Sequence, residues 1–305
     1  MFPRFLPALL CGLLLSFPIA AATPAVVTTI KPLQLIAAAV LEDIADPEVL
    51  LPPSASPHNY ALRPSERRLL SAADRVYWVG PDLERFLQRL LEDHSNARRV
   101  DQATGVTLRY FTEDHAHNDH GHGSHEHHEH APGTLDAHIW LSVANARHIA
   151  RWMADDLGQL YPEHRPRLQQ NTDAFVQRLA QLDARLQQRL RPLAGKPYFV
   201  FHDAYGYLEE HLGLQPQGIF TLSAEIQPGA RHLQGLRNKL VEAGPSCVFR
   251  EPQFPADRVR TLSEGLPVHI AELDPLGIEA PVGPRGYEQL LATLGDELAG
   301  CLERL

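Results

Sequence analysis

The stretch from Pro162 to Arg191 constrains this chain more than any other. Its apolar residues fall at Leu168, Phe175, Leu179, Leu182, Leu186 and Leu190, with Gln, Arg and Asp between them. These intervals of three, four and seven mark one face of an α-helix. Neither Gly nor Pro interrupts Arg167 to Leu190, so the spacing predicts a single helix rather than two. Thirty residues would span about 45 Å. A helix of that length is a strut, and whatever folds on either side of it is held apart or together by it.

Both flanks read as alternating strands and helices. Before the strut, "AVVTTI" (25–30), "PEVLLPP" (47–53) and "DRVYWVG" (74–80) are short apolar runs bounded by Pro, Gly and Asp, and so predicted strands. "KPLQLIAAAVLEDI" and "SERRLLSAA" have helical composition. After it, "PYFVFHD" (197–203), "PQGIF" (216–220), "PSCVFREP" (245–252) and "PVHIAELDP" (267–275) read as strands, and "GARHLQGLRNKLVEAG" and "PRGYEQLLATLGDELAGCLERL" as helices. The expected fold class is α/β, with two βα-layered domains of mainly parallel sheet joined by the long helix. The expected boundaries are 23–160 for the N-terminal domain, 161–192 for the linking helix and 193–305 for the C-terminal domain.

Residues 1–22 stand apart. Arg4, an apolar core from Leu9 to Phe17, and Ala20 and Ala22 in A-x-A spacing read as a secretory signal peptide cleaved near Ala22. The core is shorter than the ~20 residues of a spanning helix. Export to an oxidising compartment makes the remaining cysteines informative, and Cys247 and Cys301 are expected to pair as a disulfide rather than stay buried thiols. A net charge of −9 argues against nucleic acid as a partner.

In open parallel sheets, ligands bind beyond the carboxyl ends of strands. His58 in "SPHNY", His138 in "DAHIW", His202 ending "YFVF" and Asp274 in "AELDP" all fall where that rule looks. Three imidazoles and one carboxylate make a plausible tetrahedral zinc shell. Asp203 and Glu225 are candidates to orient an imidazole N–H, although a turn cap and a surface carboxylate are equally good readings of them. A second group is far more conspicuous. His115, His117, His120, His122, His125, His127, His128 and His130 crowd one Gly-containing polar run within a loop spanning 112–134. That composition cannot bury a core of its own, so weak, multiple metal sites beside the main one are the expectation.

"SPHNYALRPS", "DAHIWLS", "FHDAYGYLEEHLGL", "AEIQPGARHL", "CVFREPQF" and "LDPLG", in this order, resemble the zinc-uptake substrate-binding proteins of bacterial ABC transporters, the ZnuA type of the metal-binding cluster A-I family. The resemblance covers essentially the whole chain after the leader. It implies two βα domains joined by a rigid backbone helix, with Zn²⁺ carried in the cleft between them by His58, His138 and His202. The family's carboxylate before "LG" falls on Asp274, which leaves that residue or a water as fourth ligand. It further implies a periplasmic monomer that delivers zinc to a membrane permease and is not an enzyme. Two positions depart from the pattern: Pro57 stands where some zinc members carry glutamate, and Asn59 where aspartate is frequent. Manganese-binding relatives usually place a carboxylate where this chain has His202, so this donor set favours zinc. The readings left in competition are a manganese or other divalent-metal carrier and, from another class, a secreted zinc hydrolase. The hydrolase is disfavoured because no H-E-x-x-H or G-x-S-x-G motif is present.

Overall fold

The computed structural model describes residues 24–111, 133–221, 229–254 and 257–305. The predicted leader, the eight clustered histidines and Glu225 lie outside them. Two four-stranded sheets organise the chain. The first contains β1 (Val26–Thr28), β2 (Glu48–Val49), β3 (Arg75–Trp78) and β4 (Ala97–Arg99) in the order β2-β1-β3-β4. Helices α1 (Lys31–Val40), α2 (Pro64–Ala72) and α3 (Gln88–Leu91) connect these strands, and every pairing is parallel. A short antiparallel ribbon, β5 (Arg109–Tyr110) with β6 (Leu135–Asp136), follows. Then come α4 (Val143–Leu160) and α5 (Arg165–Leu190).

The second sheet, ordered β10-β9-β7-β8, is also wholly parallel. It is built from β7 (Tyr198–His202), α6 (Gly206–Leu212), β8 (Gly218–Thr221), α7 (Ala230–Ala243), β9 (Ser246–Arg250), α8 (Asp257–Ser263), β10 (Val268–Glu272) and α9 (Gly286–Leu302). The α/β class and the parallel sheets are as the βα rhythm predicts. Among the described residues, no helix is long and apolar enough to cross a membrane.

The strut is observed as α5, 26 residues without a break, continued at each end by a 3-10 turn, Pro162–His164 and Arg191–Leu193. All six apolar positions of the predicted stripe are buried. α4 buries Val143, Ile149, Met153 and Leu157 at helical spacing. Three alanines, Ala146, Ala150 and Ala154, are buried with them, and α4 packs against α5.

Strand alternation explains the layering. Val26 and Tyr77 face a central core, while Val27, Val76 and Trp78 face an outer layer under α2 and α3. In the second sheet Tyr198, Val200 and Phe249 face the same central core, and Phe199, Phe201 and Val248 an outer one. A strand covered on both faces needs apolar residues at every position, as these parallel strands have. The central core is continuous from Val26 to Leu302 and takes in α1, α4, α5 and α9. Every residue of α1 is buried, as expected of a helix apolar nearly all round. The C-terminal helix α9 packs against both α1 and α5, so the last element in sequence returns to seal the first.

Cys247 on β9 and Cys301 at the end of α9 form a disulfide across 54 residues. In the chain-entropy account, closing a loop of this length stabilises by about 4 kcal/mol. Cys247→Ser/Cys301→Ser should therefore lower the urea-derived unfolding free energy by about that much, and by no more than about 5 kcal/mol.

Candidate metal centre

Three chain segments bring imidazoles to one point. His58 sits in the loop that leaves β2, whose entry is fixed by Leu50 and Leu51 N–H donating to the Thr28 and Thr29 carbonyls. His138 follows β6 and opens the 3-10 turn Ile139–Leu141. His202 is the last residue of β7. His58 Nε2 and His138 Nε2 are 3.3 Å apart. Ring centroids are 5.3 Å (His58–His138), 5.4 Å (His58–His202) and 4.9 Å (His138–His202). One nitrogen from each ring lies within 4.8 Å of the other two, and all three residues are buried. Pro57, Trp140, Glu251, Gln253, Phe254, Pro275 and Leu276 complete the walls of this small cavity.

Two buried carboxylates determine how the rings point. Asp136 Oδ1 accepts from His138 Nδ1 at 2.8 Å and from the His138 backbone N–H at 3.1 Å. Glu251 stands behind His202, with His202 Nδ1 3.2 Å from Oε1 and 3.3 Å from Oε2. Each carboxylate selects the tautomer with the proton on Nδ1 and leaves the Nε2 lone pair for the cavity, the usual device at metal sites. The electrostatics differ between the rings. Burial, with His202 and His58 adding to it, pushes the His138 pKa well below that of free imidazole. Burial also disfavours a charged His202, but Glu251, with Asp203 and Asp136 adding to it, opposes the burial and the pKa is raised. Burial pushes the Asp136 pKa up to about 6, against the opposing pull of the His138 backbone N–H and Arg109.

The sequence offered Asp203 and Glu225 as candidates to orient an imidazole, beside the equally good readings of turn cap and surface carboxylate. Glu225 lies outside the described residues, and the hydrogen bonds behind the rings come from Asp136 and Glu251. A signal for the first was present in the D-x-H spacing of "LDAHIW". The second is visible only through strand pairing: the register of β7 with β9 sets Tyr198 opposite Cys247 and Val200 opposite Phe249, and the same offset carries His202 to Glu251.

Asp274 is not drawn into the imidazole group. Its Oδ1 accepts from Gln253 Nε2 at 2.8 Å and from Leu276 N–H at 3.0 Å, and its Oδ2 accepts from Ile278 N–H. A carboxylate so engaged folds the 274–278 turn that carries Pro275 and Leu276 into the cavity wall. The clustered histidines themselves lie outside the described residues, but their flanks do not. Phe111 N–H donates to Thr134 O and Gly133 N–H to Phe111 O, so the segment departs and returns at the β5–β6 ribbon, whose last residue is Asp136.

With this geometry in view, the comparisons are specific. The profile of the ZnuA family, described as "Zinc-uptake complex component A periplasmic", matches residues 26–301. The high-affinity zinc uptake system protein ZnuA of Yersinia pestis is 41% identical over 303 residues, covering 96% of this chain and 95% of that protein. A crystal structure of ZnuA superposes with a TM-score of 0.75 at 24% identity, covering 92% of this chain and 99% of that one. The Mn²⁺ complex of the substrate-binding protein FpvC from Pseudomonas aeruginosa reaches a TM-score of 0.76 at 20% identity, with coverage of 92% and 99%. At those identities the two structures speak for the fold alone. The chain belongs to the ZnuA family.

The assignment of Glu251 is open to direct test. In Glu251→Gln the His202 imidazole should titrate at lower pH than in the wild type when followed by NMR. An unchanged or raised titration would show that Glu251 does not hold it.

Proposed function

We propose that this protein captures Zn²⁺ in the periplasm and delivers it to an ABC permease, with His58, His138 and His202 as its protein ligands and water in the fourth position. One observation carries the reading. Zn–N bonds of 2.0–2.1 Å in a tetrahedron require an N···N edge of about 3.3–3.4 Å, and His58 Nε2 and His138 Nε2 stand 3.3 Å apart. Small ring rotations would bring the third nitrogen to the same spacing. One nitrogen of each ring faces the other two in a buried space, with the Glu251 carboxylate behind one ring, a setting that favours a divalent cation over an anion. Three imidazoles without a carboxylate in the shell prefer zinc to manganese, which ranks manganese carriage second.

Capture would use residues 23–160 and 193–305 as two lobes on the strut 161–192, after removal of the leader near Ala22. The eight histidines between His115 and His130 would collect zinc weakly beside His138 and pass it inward. The chain would act as a monomer, without nucleic acid and without catalysis. A catalytic zinc site also has three protein ligands and a water, but the carboxylates behind His138 and His202 are engaged in holding imidazoles, and the described residues lining the cavity offer no further carboxylate as a general base.

Isothermal titration would test the ligand set. His202→Ala should weaken zinc binding more than about 100-fold, beyond the usual reach of a change behind the ligands, whereas near-native affinity would refute the site. Deleting residues 115–130 should remove weak zinc equivalents and keep one tight site; loss of the tight site would refute the division of labour. Zinc needs neutral imidazoles, so affinity should fall as pH drops. His202, its pKa raised by nearby carboxylates, should take a proton before His138, whose pKa is depressed.

A further inference from the structure

The ribbon whose carboxylate orients His138 is itself tied, through its backbone, to the other half of the molecule. Arg109 and Asp136 are opposite each other in the β5–β6 ribbon, yet a side chain sits between their backbones. Arg109 N–H donates to the Tyr207 hydroxyl at 2.8 Å, and that hydroxyl donates to the Asp136 carbonyl at 3.0 Å. Tyr207 lies in the first turn of α6, five residues after His202. The Arg109 guanidinium completes the arrangement. Its Nη1 donates to Asp136 Oδ2 at 2.9 Å, while Oδ1 of the same carboxylate serves His138. The guanidinium also lies 3.7 Å from the exposed Glu210 carboxylate and 5.8 Å from the Phe111 ring centroid. Space for it depends on Gly206, where a Cβ would collide with the guanidinium.

We propose that Tyr207 and Arg109 form a clasp that presets His138 relative to His202 before metal arrives, and that this presetting sustains tight binding. The inference rests on the ligand assignment above and adds two positioning residues to it. The phenol ties the ribbon bearing Asp136 and His138 to the helix that follows His202, so two rings from different sheets share one fixed point. The guanidinium occupies Oδ2 and leaves Oδ1 as the acceptor facing His138, which fixes ring orientation and tautomer together. Without the clasp the rings would have to be ordered at the expense of the metal's own binding energy.

The test uses the full chain and two readouts: zinc affinity by competition with a chelator, and the ¹⁵N shifts of His138 in metal-free protein, which report its tautomer. Arg109→Met should weaken zinc binding about 10- to 100-fold and give a mixed His138 tautomer. Arg109→Lys, keeping the charge without the planar fork, should recover part of both. Tyr207→Phe, which keeps the ring and loses only the bridging hydroxyl, should weaken binding in the same direction, and it carries the test alone if Arg109→Met does not fold. Leu70→Ala, in the outer core of the first sheet, should lower stability and leave both readouts unchanged. Wild-type affinity and a pure tautomer in Arg109→Met and Tyr207→Phe would overturn the clasp, as would equal loss of affinity in Leu70→Ala. A His138→Ala variant that still bound zinc tightly would instead overturn the ligand assignment itself.

Discussion

Three buried imidazoles can face one another only because a single apolar core holds the two sheets in a fixed relation. His58 and His138 come from the first half of the chain and His202 from the second, so their spacing is a property of the whole molecule. The core runs unbroken through α1, α4, α5 and α9, and cross-links between the halves run beside the site. Trp140 Nε1 donates to Pro275 O at 2.8 Å, Tyr287 OH donates to Trp140 O, and Lys31 Nζ donates to Ile278 O at 2.6 Å. Opening such a core widely would expose many large side chains, each worth about 1.5–3 kcal/mol. The architecture therefore favours a site that is largely formed beforehand, with adjustment confined to side chains and to the loop bearing His58.

That rigidity has a chemical counterpart. Burying three nitrogen ligands together is unfavourable for any ring that must carry a proton, which is why the His138 pKa is depressed. At His202 the nearby carboxylates of Glu251, Asp203 and Asp136 act against burial and the pKa is raised. Under the proposed function, a cation entering the cavity would meet rings already brought together, and less of its binding energy would be spent on ordering them. Trp140 and Phe254 line the same space and limit the water that competes for the ion.

Much of this was legible in the sequence, for physical reasons that differ by element. The strut was readable because a long helix packed on one face repeats its apolar residues many times. Strands β7, β8 and β9 of the second sheet were readable because burial leaves them almost continuously apolar. His58 and His202 could be singled out because they follow strands of parallel sheets, whose carboxyl ends are where ligands gather, whereas His138 follows the antiparallel ribbon and lies outside that rule. Asp274 shows the limit of that rule: it stands at such an end, yet its oxygens are taken by the N–H groups of the turn that follows. Glu251 and the Tyr207–Arg109 pair escaped for a different reason. Their roles depend on which strands pair and on what reaches across from the other half, and local pattern carries neither. The histidine run drew attention in proportion to its composition, while the proposed tight site rests on scattered residues.

The most direct measurement is a crystal structure of the zinc-loaded protein with anomalous scattering recorded at the zinc edge. The account predicts one fully occupied zinc held by Nε2 of His58, His138 and His202 and by one water, with Asp274 still bound to its own turn. A zinc bound by Asp274, or seated elsewhere without all three imidazoles, would contradict it.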